Sequence, residues 1–308
     1  MSITFLEEKN HHPRDDRVTF DEPTHTYTID GSSDGVISVT TLIHKHFPHF
    51  DPDDVIKKMR NSLKGLGEKY KGMTDDEIKK SWNENGKQAS ERGTRLHKTI
   101  EIFYNEYAKN ENVLDFCLES GPAINTKEFQ HFLTFHNTIK HRLEPFRTEW
   151  SLFRKDLKLA GQLDMLYRLK KNPTKFALYD WKCVQEIKTE NRFEKGYNGL
   201  RHLDHCNYFH YSIQLNIYKR ILETLYELHI VEMFLVLLHP DNYTYHLVEV
   251  KEMKREIDYI FKQRKKEANL VVELSCETNH SDDVSSEEVN ELSNELQTEL
   301  KVTNSDSE

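Results

Sequence analysis

The chain has 308 residues, of which 36% are hydrophobic and 31% are charged, and its formal net charge is −9. This length suffices for one large domain or two smaller ones. No apolar run approaches the ~20 residues of a membrane-spanning helix, and the start "MSITFLEEKNHHPRDD" lacks the basic and apolar regions of a secretory signal. The four scattered cysteines are typical of reduced thiols. We therefore expect a soluble intracellular protein without a membrane partner.

Residues 1–87 are predicted to form a hairpin and a helical region that packs on the core. The hairpin is predicted from "HTYTID", the turn "GSSDG" and the apolar run "VISVTTLI". A helix is predicted to start at "DPDDVIKKM", because a proline and acidic residues favour the first helical turn. Residues 61–85 contain several glycines and lysines, which indicates a helical cap with loops.

Residues 88–271 are predicted to form the core. Apolar residues at helical spacing predict a helix from about Gln88 to Asn110 and a second in "NTKEFQHFLTFHNTIKHRL". Three strand-like runs follow, "RTEWSLFR", "LAGQLDMLYRL" and "FALYDWKC", then the amphipathic helix "YSIQLNIYKRILETLYEL" and two further strands before a basic helix. This order predicts a mixed α/β core with an antiparallel meander and a crossover helix.

The last segment, 272–308, is predicted to be a disordered tail, because it is rich in Glu, Ser and Asn. It carries eleven acidic residues and one lysine, a net charge of −10, so the total of −9 leaves +1 on the remainder. A nearly neutral body can carry a local basic groove, so the acidic total does not exclude nucleic acid. The tail itself can act as a solubilising end or bind a protein partner.

Asp164, Asp180 and Lys182 stand on segments that otherwise suit burial. Residues two apart in a strand face the same way, so Asp180 and Lys182 share a face. The turn "LKKNPTK" makes the strands of Asp164 and Asp180 antiparallel neighbours. Two adjacent carboxylates suit Mg²⁺ or Mn²⁺, and a lysine beside them can polarise a water or neutralise charge on a phosphate. A surface hairpin with an ordinary Asp–Lys pair is the alternative.

Polar residues on two helices strengthen the metal interpretation. His97 and Glu101 are four residues apart and share a helix face, and Gly93 one turn earlier is expected to permit close approach of another segment. Gln214 and Tyr218 have the same spacing on the later helix and can bond a phosphate or orient a carboxylate. Taken alone, each pair is more simply explained as part of a polar helix surface.

Four segments in this order, "GTRLHKTIE", "TEWSLF…LAGQLDML", "LYDWKC" and "YSIQLNIYKRIL", resemble the motifs of the PD-(D/E)XK nuclease superfamily. More narrowly, the sequence looks like the RecB-type and mitochondrial genome maintenance exonuclease branch. The match covers roughly residues 88–222. The resemblance implies a restriction-endonuclease-like core, which is a mixed central sheet flanked by helices.

The resemblance also implies a role for each matching residue. The implied metal ligands are His97, Asp164, Asp180 and the carbonyl of Trp181. Lys182 would be the catalytic lysine, and Asp164 and Asp180 would also be catalytic. Glu149 would be an additional catalytic residue, whose carboxylate helps to position metal or water. Gln214 and Tyr218 would contact the substrate or order the site.

The function implied is a Mg²⁺- or Mn²⁺-dependent deoxyribonuclease with DNA as its partner. An exonuclease that acts on DNA ends or single strands in replication, recombination or repair is the first expectation. An endonuclease of the same fold and a catalytically silent DNA-binding protein are the alternatives.

The cysteines and histidines raise two other possibilities for a metal centre. Some relatives hold an iron–sulfur cluster on closely grouped cysteines, and Cys183, Cys206 and Cys276 are too far apart in the sequence, so no cluster is expected. The segment "HLDHCNYFH" gathers four zinc-type ligands, but its spacing fits no standard zinc finger. A loop beside the DNA channel is the preferred interpretation of that segment.

Overall fold

The computed structural model describes residues 4–62, 65–110 and 123–278. The protein is a mixed α/β structure with a mixed central sheet flanked by helices. Of the tail predicted to be disordered, residues 272–278 belong to a helix that ends at Thr278. The rest of that prediction, from residue 279 onward, lies outside the described residues. Within the described residues no helix combines the length and the apolar character needed to cross a bilayer.

In the part of the chain that the structure describes, the central sheet contains six strands, and a separate two-stranded sheet precedes it. The small sheet pairs β1 (Val18–Asp21) with β2 (Thr26–Ile29). The central sheet comprises β3 (Ile37–Ser38), β4 (Leu143–Arg154), β5 (Leu159–Leu169), β6 (Asn172–Lys182), β7 (His229–Leu237) and β8 (His246–Glu249). Strands β4, β5 and β6 form the predicted antiparallel meander, β7 adds parallel to β6, and β8 adds antiparallel to β7.

Eight helices accompany these strands in the described part of the chain. They are α1 (Phe5–Lys9), α2 (Val39–His44), α3 (Pro52–Asn61), α4 (Gly67–Tyr70), α5 (Asp75–Lys109), α6 (Lys127–Ile139), α7 (Asn207–Leu225) and α8 (Lys254–Thr278). Helix α7 is the crossover between the parallel strands β6 and β7, which confirms the predicted connection.

Alternation along β6 divides the core into two layers. Phe176 and Leu178 pack with residues of α2, α7 and α8 on one face of the sheet. Tyr179 and Trp181 pack with residues of α5 and α6 on the other face. Successive side chains of a strand point to opposite faces, so a buried strand with both faces covered by helices is apolar throughout. This packing holds β6 rigidly up to Asp180 and Lys182.

Two predictions for the N-terminal region are wrong. The segment "HTYTID" pairs with β1 and not with "VISVTTLI", which forms the short β3 and then α2. Strand β3 instead pairs parallel with β5 at Leu159 and Ala160. The helix expected from Gln88 begins at Asp75, where Thr74 and Glu77 form a capping box. Helix α5 therefore runs without a break across the expected boundary at 87/88.

His136 on α6 is 5% exposed and is enclosed by aromatic rings. Its ring centroid lies 4.8 Å from that of Phe103 and 4.6 Å from that of Tyr107. Burial, with help from two nearby lysines, lowers the pKa of His136 from 6.5 to about 4. The imidazole is therefore neutral in the folded protein at neutral pH.

Acidification is expected to destabilise the fold through His136. Above pH 6.5 neither state binds this proton, whereas between 6.5 and about 4 only the unfolded chain binds it, so the free energy of unfolding falls as the pH falls. The loss is on the order of 3 kcal/mol. Denaturant unfolding of the wild type and of His136→Phe at pH 7 and pH 4.5 measures it. The variant should lose less stability than the wild type, and an equal loss in both would contradict the prediction.

Candidate functional site

The candidate site lies where β5 and β6 separate. Their backbone pairing ends at the pair of Met165 and Tyr179. Asp164 and Asp180, which adjoin this last pair on each strand, lie just beyond it. Beyond that point the Asp164 carboxylate bridges the gap, because its Oδ2 accepts a hydrogen bond from the Trp181 N–H at 2.8 Å. The register of the meander thus brings the two predicted aspartates to neighbouring positions, although fifteen residues of chain lie between them.

Gly161 lets α7 approach the start of β5 closely. A Cβ atom at this position would lie 2.8 Å from Val39 Cγ2 and 2.9 Å from the hydroxyl of Tyr218. Tyr218 is 2% exposed and cannot easily move away. Gly93 has no such role, since a Cβ there would meet no described atom within 4 Å. The predicted close approach at Gly93 is therefore not found, and the one at Gly161 was not predicted.

Alanine at these two glycines is expected to have opposite effects on stability. Gly161→Ala should lower the free energy of unfolding by about 1–3 kcal/mol, because it overpacks a buried contact. Gly93→Ala should raise it by about 0.5–1 kcal/mol, because alanine is the better residue inside a helix with open space around it. Chemical denaturation of the two variants measures both values. Shifts of the same sign would contradict the packing described at one of the two positions.

His97, Glu149 and Asp164 form a compact cluster. One ligand-type atom from each residue lies within 4.8 Å of the other two. His97 Nδ1 is 3.4 Å from Glu149 Oε1 and 3.7 Å from Asp164 Oδ2. The other ring nitrogen, Nε2, is 3.1 Å from the Trp181 carbonyl oxygen. Since a carbonyl can only accept, Nε2 carries the proton of this bond, and Nδ1 is the nitrogen that faces the carboxylates.

The two carboxylates determine the charge of His97. Burial by itself would lower the pKa of the imidazole, but Asp164 and Glu149 outweigh it and raise the pKa of His97 to about 9. Burial also raises the pKa of Asp164, although the positive charges of His97 and Lys182 act in the opposite direction and lower it. The cluster therefore places the carboxylates of Glu149 and Asp164 together in a partly enclosed site, where the positive charge of His97 compensates them.

Lys182 and Asp180 form a buried ion pair beside this cluster. Lys182 Nζ lies 2.5 Å from Asp180 Oδ2, and the two side chains are 14% and 2% exposed. The carboxylate is close but poorly aligned, because neither of its oxygens has a well-directed hydrogen bond from any described residue. Burial and the nearby Asp164 raise the pKa of Asp180 to about 7. Asp180 and Asp164 raise the pKa of Lys182 against the opposing effect of burial.

The cluster of three fits a divalent cation. Metal–ligand distances of about 2.1 Å place adjacent ligand atoms of an octahedral ion about 3 Å apart. The separations of 3.4 and 3.7 Å at His97 Nδ1 approach that value, so small rotations of the side chains would complete the geometry. Two carboxylates and an imidazole suit a hard or borderline ion such as Mg²⁺ or Mn²⁺.

The cluster does not coincide with the metal ligands that the resemblance implies. It contains Glu149, whereas Asp180 is outside it and is paired with Lys182. The carbonyl of Trp181 lies on the far nitrogen of His97, where it orients the ring. Glu101, expected on the same helix face as His97, is paired with Lys98 at 2.9 Å.

Gln214 and Tyr218 lie behind the reactive groups. Gln214 Nε2 is 3.4 Å from the hydroxyl of Tyr218, and Tyr218 is buried against Gly161. Tyr218 is 2% exposed, so its side chain is not accessible to a substrate in this arrangement. Tyr211, one turn earlier on α7, was not predicted. Its ring lies 4.6 Å from Lys182 Nζ, and the signal that could have revealed it is its spacing of three and seven residues from Gln214 and Tyr218.

Two of the four alternative zinc ligands are paired with carboxylates. His202 Nε2 lies 2.8 Å from Glu256 Oε1, and His205 Nδ1 lies 3.0 Å from Glu194 Oε2. Within the described residues, His97, Glu149 and Asp164 are the only group of three such side chains close enough to share an ion. For iron–sulfur ligation, Cys276 lies among the residues whose side chains are not described.

Groups that are distant in the sequence therefore meet where β5 and β6 separate. A helix supplies His97, β4 supplies Glu149, β5 supplies Asp164, and β6 supplies the pair of Asp180 and Lys182. Comparison of the sequence with protein-family models finds no match, and comparison with curated proteins finds none either.

Proposed function

We propose that this protein is a metal-dependent deoxyribonuclease of the PD-(D/E)XK type. The observation that carries the proposal is the cluster of His97, Glu149 and Asp164 directly beside the buried Lys182–Asp180 pair. A surface hairpin with an ordinary ion pair would not need a buried lysine at the point where two strands separate. It would not need three further ligand-type groups on other elements either.

The fold supports the proposal at the level of topology. The antiparallel meander, the crossover helix and the parallel strand build a mixed sheet flanked by helices, and such a sheet is what the resemblance implies for a restriction-endonuclease-like core. The candidate site lies where β5 and β6 separate. The side chains of His97 and Glu149 are 26% and 19% exposed there, so they are partly accessible to a ligand.

The side chains suit hydrolysis of a phosphodiester. Bound Mg²⁺ or Mn²⁺ would lower the pKa of a water and neutralise charge on the phosphate. Glu149, Asp164 and His97 Nδ1 would hold the ion. Lys182, kept as an ammonium by Asp180, donates hydrogen bonds to oxygen atoms on which negative charge develops. The Trp181 carbonyl fixes the orientation of His97, and Tyr218 fixes α7 against β5.

DNA is the proposed substrate, with attack from ends or on single strands. This preference comes from the resemblance to the exonuclease branch. It would place the protein in replication, recombination or repair. The experiment must distinguish this exonuclease from an endonuclease with the same chemistry and from a protein that binds DNA without cleaving it.

Purified protein should degrade end-labelled linear DNA with Mg²⁺ or Mn²⁺, and EDTA should stop the reaction. Closed circular DNA should resist, whereas its cleavage would indicate an endonuclease. Parallel assays with single-stranded and double-stranded DNA reveal which of the two the protein prefers as substrate. Binding to DNA without cleavage under either metal would support the catalytically silent alternative. A protein that neither binds nor cleaves DNA would refute the proposal.

A further inference from the structure

Glu149 has a backbone conformation that a glutamate rarely adopts. Its φ is +43° although it lies inside strand β4, between the paired residues Thr148 and Trp150. In this left-handed region the Cβ atom crowds the following carbonyl, so the conformation persists only where the surroundings enforce it. The carbonyl oxygen of Glu149 is accordingly bonded by Gln162 Nε2 at 2.8 Å, from the side chain of β5.

One carboxylate of the N-terminal segment holds the chain on both sides of Glu149. Asp15 Oδ2 lies 2.6 Å from Arg147 Nη1, and Asp15 Oδ1 accepts a hydrogen bond from Trp150 Nε1 at 2.8 Å. The Arg147 and Asp15 side chains are only 3% and 8% exposed. The guanidinium also lies over the Trp150 ring, 4.4 Å from its centroid. Asp15 therefore connects the residue two before Glu149 with the residue after it.

The residue immediately before Glu149 is held from the same direction. Asn105 Nδ2 donates to Thr148 Oγ1 at 3.3 Å, and Asn105 Oδ1 accepts from the Leu6 backbone N–H at 2.9 Å. Asn105 is 1% exposed and lies two turns after His97 on α5. Residues 5–17 thus reach the flanks of Glu149 directly through the Asp15 carboxylate and indirectly, by way of Asn105, through the Leu6 backbone N–H.

We propose that Asp15 is a positioning residue, which acts through Arg147 and Trp150 to keep Glu149 in its left-handed conformation and its carboxylate in the cluster with His97 and Asp164. The part of this inference that concerns metal affinity rests on the proposed function. The N-terminal segment, which contributes no ligand itself, then determines the orientation of the Glu149 carboxylate on β4. Simple docking of the N-terminus would require neither contacts on both sides of Glu149 nor a strained residue between them.

The first test needs neither metal nor DNA. Glu149→Gly and Glu149→Ala both remove the carboxylate, but only glycine tolerates a positive φ without strain. With Asp15 present, the glycine variant should therefore unfold at a higher temperature than the alanine variant. In the Asp15→Asn background the strand relaxes, and the advantage of glycine should disappear or reverse, because glycine adds freedom to the unfolded chain. An equal advantage of glycine in both backgrounds would overturn the inference.

The second test measures Mn²⁺ binding by electron paramagnetic resonance. Asp15→Asn should weaken binding by about 10-fold or more, which is the usual effect of losing the support of a ligand. Glu232→Gln is the matched control, since it removes an arginine–carboxylate pair from the same sheet, with Arg142 Nη1 2.6 Å from Glu232 Oε1. It should leave binding unchanged. Equal binding by the wild type and Asp15→Asn would overturn the inference.

The two tests separate this inference from the proposed function. A wild type that binds no Mn²⁺ would refute the metal proposal, and the comparison of glycine with alanine would still decide the role of Asp15. If Asp15→Asn does not fold, Trp150→Phe replaces it as the background. Phenylalanine keeps an aromatic ring beside Arg147 and loses the Nε1 hydrogen bond to Asp15. The same loss of the glycine advantage is expected there, and its persistence would overturn the inference.

Discussion

Lys182→Met is expected to reduce DNA cleavage by about 10²- to 10³-fold, the usual effect of removing one group that stabilises developing charge. Methionine keeps the length and the packing of the side chain but cannot donate a hydrogen bond. DNA binding, measured by fluorescence anisotropy without a catalytic metal, should change little, because a single positive charge is lost. Initial rates on end-labelled linear DNA give the effect on cleavage.

The same substitution should also destabilise the protein, which requires a control. Asp180 is 2% exposed and would lose its ion-pair partner, and a broken buried pair costs about 3–5 kcal/mol unless the carboxyl takes up a proton. Its pKa of about 7 makes that uptake easy. The double variant Asp180→Asn, Lys182→Met removes both charges, so it should recover stability without recovering cleavage. A folded Lys182→Met protein that cleaves at the wild-type rate would remove the lysine from the mechanism.

Glu149→Gln is expected to weaken Mn²⁺ binding by at least about 10-fold and to reduce cleavage accordingly. The reason is geometric, since Glu149 Oε1 lies 3.4 Å from His97 Nδ1 within the cluster. Glutamine has nearly the same shape but no negative charge for a cation. Isothermal titration with Mn²⁺ and nuclease rates over a range of Mn²⁺ concentrations measure both effects, and excess metal should restore part of the activity.

Glu101→Gln is the matched control for this prediction. Glu101 lies one turn from His97 on the same helix, but it pairs with Lys98 and not with the cluster. Its substitution should leave Mn²⁺ affinity unchanged. Asp180→Asn provides the opposing comparison, because the family resemblance assigns ligation to Asp180. If Asp180→Asn abolishes Mn²⁺ binding and Glu149→Gln does not, the ligand set inferred from the structure is wrong.

The parts of the site that sequence reasoning anticipated are those that depend on local geometry. Residues two apart in a strand share a face, and Asp180 and Lys182 are paired in the structure. Residues four apart on a helix are neighbours, and Gln214 reaches the hydroxyl of Tyr218. The meander also places Asp164 beside Asp180, because a short turn leaves few possible registers for two antiparallel strands.

The sequence by itself therefore determined the order of the elements from residue 88 onward, the faces that these strands and helices bury, and the candidate residues on them. Only the tertiary structure decided that Glu149 and not Asp180 completes the cluster with His97, that β3 pairs with β5 and not with β2, and that Asp15 bonds the flanks of Glu149. These contacts join residues far apart in the chain, such as Asp15 and Arg147. Periodicity within one element contains no information about them, because they are selected by how complete elements pack together.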